Sequence, residues 1–155
     1  MVVGLISDTH GRLRNDVFSR FDDVDHILHA GDIGGAEILS ALEAIAPVDA
    51  VYGNTDDLAL RQLAGERVER ELAGRTVVVT HGHQFGTPTA PALATAFPYA
   101  DVIVFGHTHR PLIERVGAIL IVNPGAAGAP RFGLRPSVGL LFIEENGPRA
   151  QIIDL

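Results

Sequence analysis

The most constraining feature of the chain is an apolar run that ends abruptly in a glycine and two histidines. Val102–Phe105 contains only β-branched and aromatic residues, and Gly106, His107, Thr108 and His109 follow directly. A run without polar alternation is typical of a strand buried on both faces, as in α/β proteins. The glycine lets the backbone pass close to a bound ion, and two imidazoles two positions apart can turn toward one point. The motif therefore predicts a buried strand with metal ligands at its end.

Four other apolar stretches end in the same way. Each runs into a polar motif that contains glycine, and the five motifs in chain order are Asp8-Thr9-His10-Gly11, Gly31-Asp32, Gly53-Asn54, His81-Gly82-His83 and Gly106-His107-Thr108-His109. Because the carboxyl ends of parallel strands form the edge of an α/β sheet where ligands bind, we expect the five motifs to converge there. They would bring two aspartates, one asparagine and up to five histidines into one crevice.

This set of donors is larger than one metal ion needs. Two ions about 3.5 to 4 Å apart would share a bridging carboxylate. The chain has no cysteine, so the ligands are nitrogen and oxygen atoms without sulfur. Such a set suits manganese, iron, cobalt, nickel or zinc better than calcium or magnesium. The sequence thus predicts a centre of two divalent ions, with manganese as the preferred metal.

Length and charge limit the classes of function. The 155 residues fit a single domain spanning residues 1–155, and the net charge is -7 with all twelve basic residues arginine. This balance argues against a nucleic-acid polymer as partner, whereas bound cations would still attract a small phosphorylated substrate. No apolar run approaches the length of a membrane span or a signal-peptide core, so we expect no membrane partner and a cytoplasmic location. Homo-oligomerisation is left open.

The expected elements divide the chain into two halves. The first half alternates strands at 1–7, 26–30 and 48–52 with helices at 14–21, 36–46 and 57–63. The second half consists mostly of strands and hairpins, at 66–72, 76–80, 102–105, 112–122 and 137–154, with a short helix at 92–97. The first helix is expected to pack Val17, Phe18 and Phe21. Asp56 and Asp57 are expected to cap the third helix. His29, inside an apolar strand, is interpreted as a core histidine.

The five ordered motifs resemble those of the calcineurin-like metallophosphoesterases, particularly the small single-domain bacterial and archaeal phosphodiesterases of that superfamily. The resemblance covers nearly the whole chain. It implies an α/β fold built as a two-sheet β sandwich flanked by helices. That fold agrees with a strand-helix half followed by hairpins.

The resemblance also implies a role for each motif residue. The first ion would be held by Asp8, His10 and His109, the second by Asn54, His81 and His107, and Asp32 would bridge the two. We interpret Asp32, Asn54 and His83 as catalytic, although a structural role for His83 is equally compatible with the sequence. Three arginines flank the motifs and are candidates to bind phosphate oxygens in a bidentate manner, or else ordinary surface arginines: Arg12, Arg110 and Arg131.

These residues favour a metal-dependent phosphodiesterase that acts on small or activated phosphate diesters with a metal-activated water. One alternative is a phosphomonoesterase that uses the same site. Another is a non-catalytic protein-binding module of the retromer-subunit type, but relatives of that type lack a complete ligand set. One departure affects the mechanism: larger members of the family have a histidine after the G-N pair that protonates the leaving group, and this chain has Thr55.

Overall fold

The computed structural model describes residues 1–130 and 132–155, and its strands form two five-stranded sheets. Sheet one contains β1 (Val2–Ile6), β2 (His26–His29), β3 (Val48–Ala50), β9 (Ser137–Glu144) and β10 (Gly147–Asp154), in the order β10-β9-β1-β2-β3. Sheet two contains β4 (Arg67–Leu72), β5 (Arg75–Thr80), β6 (Val102–Phe105), β7 (Leu112–Val116) and β8 (Ile119–Asn123), in the order β4-β5-β6-β8-β7. The expected division into a strand-helix half and a hairpin half is confirmed.

Short helices connect the strands. They are α1 (Asp16–Arg20), α2 (Ala36–Glu43), α3 (Leu58–Leu63) and α4 (Ala90–Ala96), and a single 3₁₀ turn, which the sequence did not predict, spans His83–Phe85. The helix expected at 14–21 is only five residues long, so it buries one narrow face. Val17 and Phe21 are buried as expected, but Phe18 is 40% exposed and its predicted packing is wrong.

The main core lies between the two sheets. Alternate residues of most strands face inward, among them Val3 and Leu5 of β1 and Val77 and Val79 of β5. The residues between them face outward and are covered by helices, as Val78 is by the residues of α4. The apolar runs without polar alternation are therefore strands buried on both faces. This arrangement confirms the two-sheet sandwich flanked by helices.

The strand directions bring the motifs together. In sheet one, β1, β2 and β3 are parallel neighbours, and in sheet two β5, β6 and β8 are parallel neighbours. The five motifs follow strands of both sheets and meet at one end of the sandwich. No helix in the described part of the chain is long and apolar enough to cross a membrane.

Candidate metal centre

Four side chains from three motifs form the first part of the site. One ligand atom from each of Asp8, His10, Asp32 and His109 lies within 4.8 Å of the others. The Nε2 atoms of His10 and His109 are 3.4 Å apart, and His109 Nε2 lies 3.1 Å from Asp8 Oδ1. Imidazole nitrogens and carboxylate oxygens that converge in this way are a suitable donor set for a divalent transition-metal ion.

The Asp32 carboxylate connects this group to a second one. Asp32 Oδ2 lies 3.8 Å from His10 Nε2 and 3.5 Å from His81 Nε2. On the far side, His81 Nε2 is 3.1 Å from Asn54 Oδ1, and the ring centroids of His81 and His107 are 5.1 Å apart. The structure thus brings the seven residues that the sequence proposed as ligands into one cluster, with one Asp32 oxygen between its two halves.

The backbone at these positions is unusual. Seven non-glycine residues in the described part of the chain have a positive φ, and five of them belong to the cluster, with φ between 48° and 68°: Asp8, His10, Asp32, His107 and His109. L-residues avoid this left-handed region at a cost of about 1 to 2 kcal/mol each. Such conformations persist where the surrounding structure imposes them, and they concentrate at functional sites. Here the strained backbone occurs at residues whose side chains converge on one point.

The motif glycines make room for side chains of other motifs. A Cβ atom on Gly31 would lie 2.6 Å from Nδ1 of His81, and one on Gly53 would overlap the carboxylate of Asp32. Any larger residue at these two positions would push a cluster side chain aside. This explains why glycine directly precedes Asp32 and Asn54 in the sequence.

Hydrogen bonds fix the orientation of Asp32 and His81. His81 Nδ1 lies 2.7 Å from the Ala30 carbonyl oxygen and donates to it, so Nε2 is the nitrogen that faces the cluster. The Thr55 backbone N–H donates to Asp32 Oδ1 at 2.9 Å, which leaves Oδ2 directed into the cluster. Burial opposes ionisation of Asp32, but hydrogen bonds from His81 and Thr55 outweigh it and hold the pKa of Asp32 well below its usual range. Burial also disfavours charge on His81, yet its contacts with Asp32 and Asp8 raise its pKa.

Asp8 provides a buried oxygen that lacks a hydrogen bond. Its Oδ2 accepts from the Ser7 hydroxyl and from the His107 backbone N–H at 3.2 Å. Its Oδ1 has no hydrogen-bond donor in the described part of the chain, although His109 Nε2 lies close to it. A buried carboxylate oxygen without a partner is costly unless a cation compensates it. The donor set and this oxygen together fit bound divalent metal.

One supporting carboxylate was misinterpreted from the sequence. Asp57 caps α3 as expected, but Asp56 does not. The buried Asp56 carboxylate instead accepts three backbone N–H groups, from Ile33 at 3.1 Å, Gly34 at 2.9 Å and Gly53 at 2.8 Å. It therefore ties the loop of the second motif to the loop of the third. Nothing in the sequence distinguishes this role from that of a helix cap.

Hydrogen bonds of His29 connect the first motif to the second. Its Nδ1 accepts from the Gly31 N–H at 3.2 Å, and its Nε2 lies 2.9 Å from Thr9 Oγ1, which donates to the Ile33 carbonyl at 2.8 Å. Complete burial lowers the pKa of His29 to about 4, so the ring is neutral near pH 7. The interpretation of His29 as a core histidine is confirmed.

His83 lies beside the cluster. Its ring centroid is 5.3 Å from that of His81 and 6.3 Å from that of His107, and burial together with these two rings lowers its pKa. The ring centroid of Tyr52 is 6.4 Å from that of His83, and the Arg61 guanidinium stacks over Tyr52 at 5.0 Å. Arg61 is a cation near the site that no sequence motif pointed to.

The three candidate arginines differ in position. Arg110 lines a cleft of about 670 Å³ that His107 also lines. Arg12 is exposed and borders a different depression, of about 330 Å³, together with Arg14 and Asp16. Arg131 lies outside the described residues.

Comparison with known proteins identifies the family. Residues 1–146 match the model of the calcineurin-like phosphoesterase superfamily domain. A probable metallophosphoesterase of Methanothermobacter thermautotrophicus is 36% identical over 161 residues, which cover 99% of this chain and 92% of that protein. The chain therefore belongs to the calcineurin-like phosphoesterase superfamily.

Solved structures share the fold over the whole chain. A structure described as a novel archaeal phosphodiesterase is 27% identical, has a TM-score of 0.79, and covers 99% of this chain and 100% of its own. Vps29 of Entamoeba histolytica, crystallised with Zn²⁺, has a TM-score of 0.81 at 24% identity and covers 99% of each chain. Family membership and the cluster of candidate metal ligands define this protein as a phosphoesterase that uses divalent metal.

Proposed function

We propose that the protein is a phosphodiesterase that uses two divalent ions, preferably manganese, to hydrolyse small or activated phosphate diesters. The observation that carries this proposal is the position of Asp32 Oδ2, 3.8 Å from His10 Nε2 and 3.5 Å from His81 Nε2. A carboxylate oxygen between two groups of donors is what a bridging ligand requires. The first ion is assigned to Asp8, His10, Asp32 and His109, and the second to Asp32, Asn54, His81 and His107.

The reaction adds water to phosphorus and releases one ester oxygen as an alcohol, so a diester becomes a monoester. Bound at this site, two ions would polarise the phosphoryl oxygens and lower the pKa of a water. The protein itself holds the metal ligands in place, and the hydrogen bonds from Thr55 to Asp32 and from His81 to Ala30 support this role. Arg110, in the adjacent cleft, is assigned to bind a phosphoryl oxygen.

Metal binding is the first test. Protein loaded with manganese and freed of excess ion should contain two ions per chain by elemental analysis. Asp32→Asn should lower this number and reduce hydrolysis of bis(4-nitrophenyl) phosphate to background, because one residue serves both ions. Asp22→Asn, at an exposed aspartate in the turn after α1, is the matched control and should change neither quantity. One ion or none at saturation would contradict the two-ion assignment.

The substrate panel distinguishes the alternatives. Hydrolysis of 4-nitrophenyl phosphate at a higher kcat/KM than any diester would instead indicate a phosphomonoesterase. The similarity to Vps29 supports a further candidate, a protein-binding module without catalysis. Protein that binds two ions but hydrolyses neither kind of ester would favour that candidate.

A further inference from the structure

The cleft beside the candidate metal centre is lined mostly by apolar side chains. His107, an assigned ligand of the second ion, lines the cleft as well, so the cleft opens directly from the metal centre. We call the apolar part of this lining the apolar wall, and it consists of Pro88, Phe105, Pro111, Leu112 and Phe132. Small-molecule sites are typically concave, apolar and supplied with a few polar groups, and a volume of about 670 Å³ is within their usual range.

Phe132 is an exposed member of the apolar wall. Its side chain is 76% exposed, its φ is 55°, and its ring centroid lies 5.9 Å from that of His109. For a residue other than glycine, the left-handed region costs about 1 to 2 kcal/mol. A flat group bound next to the metals would cover this exposed phenyl ring, which lies beside an assigned metal ligand.

The rest of the cleft is held rigidly. Phe105 is buried at the end of β6, and Pro88 and Pro111 have a restricted backbone. Thr108 Oγ1 accepts from Asn123 Nδ2 at 3.0 Å and from the Arg110 backbone N–H at 3.3 Å. These two hydrogen bonds fix the segment from Thr108 to Arg110, which also lines the cleft. A cleft that is already formed binds a rigid group without an ordering cost.

We propose that the apolar wall binds an ester group of the diester, and that this group is a flat, uncharged ring. The inference rests on the proposed function, because the metal centre must hold the phosphoryl group for the ring to reach the wall. A charged ester group is disfavoured, since it would lose water against apolar side chains. Arg110, a cation of this lining, is suited to the phosphoryl oxygens rather than to the ring.

The test compares phosphonates that differ only in their carbon group. Binding of phenylphosphonate and methylphosphonate to manganese-loaded protein is measured by calorimetry, so no turnover is needed. Wild type should bind phenylphosphonate roughly tenfold more tightly, as expected for partial burial of one ring. Phe132→Ala and Leu112→Ala should each reduce this ratio to about a third or less of the wild-type value, with methylphosphonate affinity unchanged. Phe18→Ala, at an exposed phenylalanine on α1, is the matched control and should keep the full ratio.

Three results would overturn the inference. The first is equal affinity of wild type for the two phosphonates, and the second is a ratio that survives both cleft substitutions. The third is that cyclohexylphosphonate, which is apolar but not flat, binds as tightly as phenylphosphonate. Failure of the proposed function would appear separately, as the absence of diester hydrolysis, and would leave these binding measurements interpretable.

Discussion

Replacement of Asp56 tests how the site is supported. Its carboxylate accepts the backbone N–H groups of Ile33, Gly34 and Gly53, and the side chain is only 4% exposed. In Asp56→Ala the two buried hydrogen bonds from Ile33 and Gly53 and the partly buried one from Gly34 lose their acceptor, and each unsatisfied donor costs about 1 to 3 kcal/mol. Water entering the gap recovers part of this loss, so we expect the free energy of unfolding to fall by about 3 to 5 kcal/mol.

A conservative variant at Asp56 should lose less stability than Asp56→Ala. In Asp56→Asn one oxygen can still accept from Ile33 and Gly53, because both bonds go to the same atom, Oδ2. The new NH₂ group would face the Gly34 N–H, so one donor is left unsatisfied and the expected loss is about 1 to 3 kcal/mol. Asp57→Ala is the control, because it removes an ordinary helix cap worth about 1 kcal/mol.

Urea unfolding monitored by circular dichroism measures these differences, and calorimetric titration measures manganese binding. Because Asp56 joins the loops that carry Asp32 and Asn54, the Asn variant should also bind manganese about tenfold more weakly, whereas Asp57→Ala should bind it normally. The reasoning would be refuted by an Asp56→Ala protein that unfolds at the same urea concentration as Asp57→Ala.

The strands, and the polar motifs at their ends, could be predicted from the sequence because both are local patterns. The sequence did not predict which strands share a sheet. β9, near the end of the chain, pairs with β1 at its beginning, while β5 and β6 form part of a second sheet. Strand partners so distant in sequence leave no local signal, and only the resemblance to a known family implied a two-sheet sandwich.

The supporting residues were harder to predict than the candidate ligands. Asp56 and Asp57 are identical in type and both precede a helix, so only the tertiary fold decides which one caps α3 and which one turns toward the Ile33–Gly34 segment. The left-handed backbone of Asp8 and Asp32 was also unexpected, since glycine is the usual residue there. These features depend on contacts between motifs and therefore have no signature within one motif.

Three further predictions follow from the geometry. Gly53→Ala should weaken manganese binding, because its new carbon would overlap Asp32, whereas Gly65→Ala, whose new carbon meets no atom closer than 3.1 Å, should bind manganese normally in the same titration. Thr55 provides no proton donor with a useful pKa, so the hydrolysis rate across substituted aryl methyl phosphates should depend steeply on leaving-group pKa. Thr55→His should flatten that dependence. A flat dependence in wild type that is abolished by His83→Ala would instead assign the proton donor to His83. The last prediction concerns acid stability. The pKa of buried His29 is lowered from 6.5 to about 4, so its ring stays neutral in the folded protein while it takes up a proton in the unfolded chain. The stabilisation is therefore complete above pH 6.5 and is lost as the pH falls toward 4, by about 3 kcal/mol in total. His29→Gln cannot take up this proton, so its free energy of unfolding, measured in urea between pH 7 and pH 4.5, should fall less than that of wild type by about 2 to 3 kcal/mol. Parallel pH profiles for the two proteins would show that His29 is protonated in the folded state and would contradict its assignment as a neutral core residue.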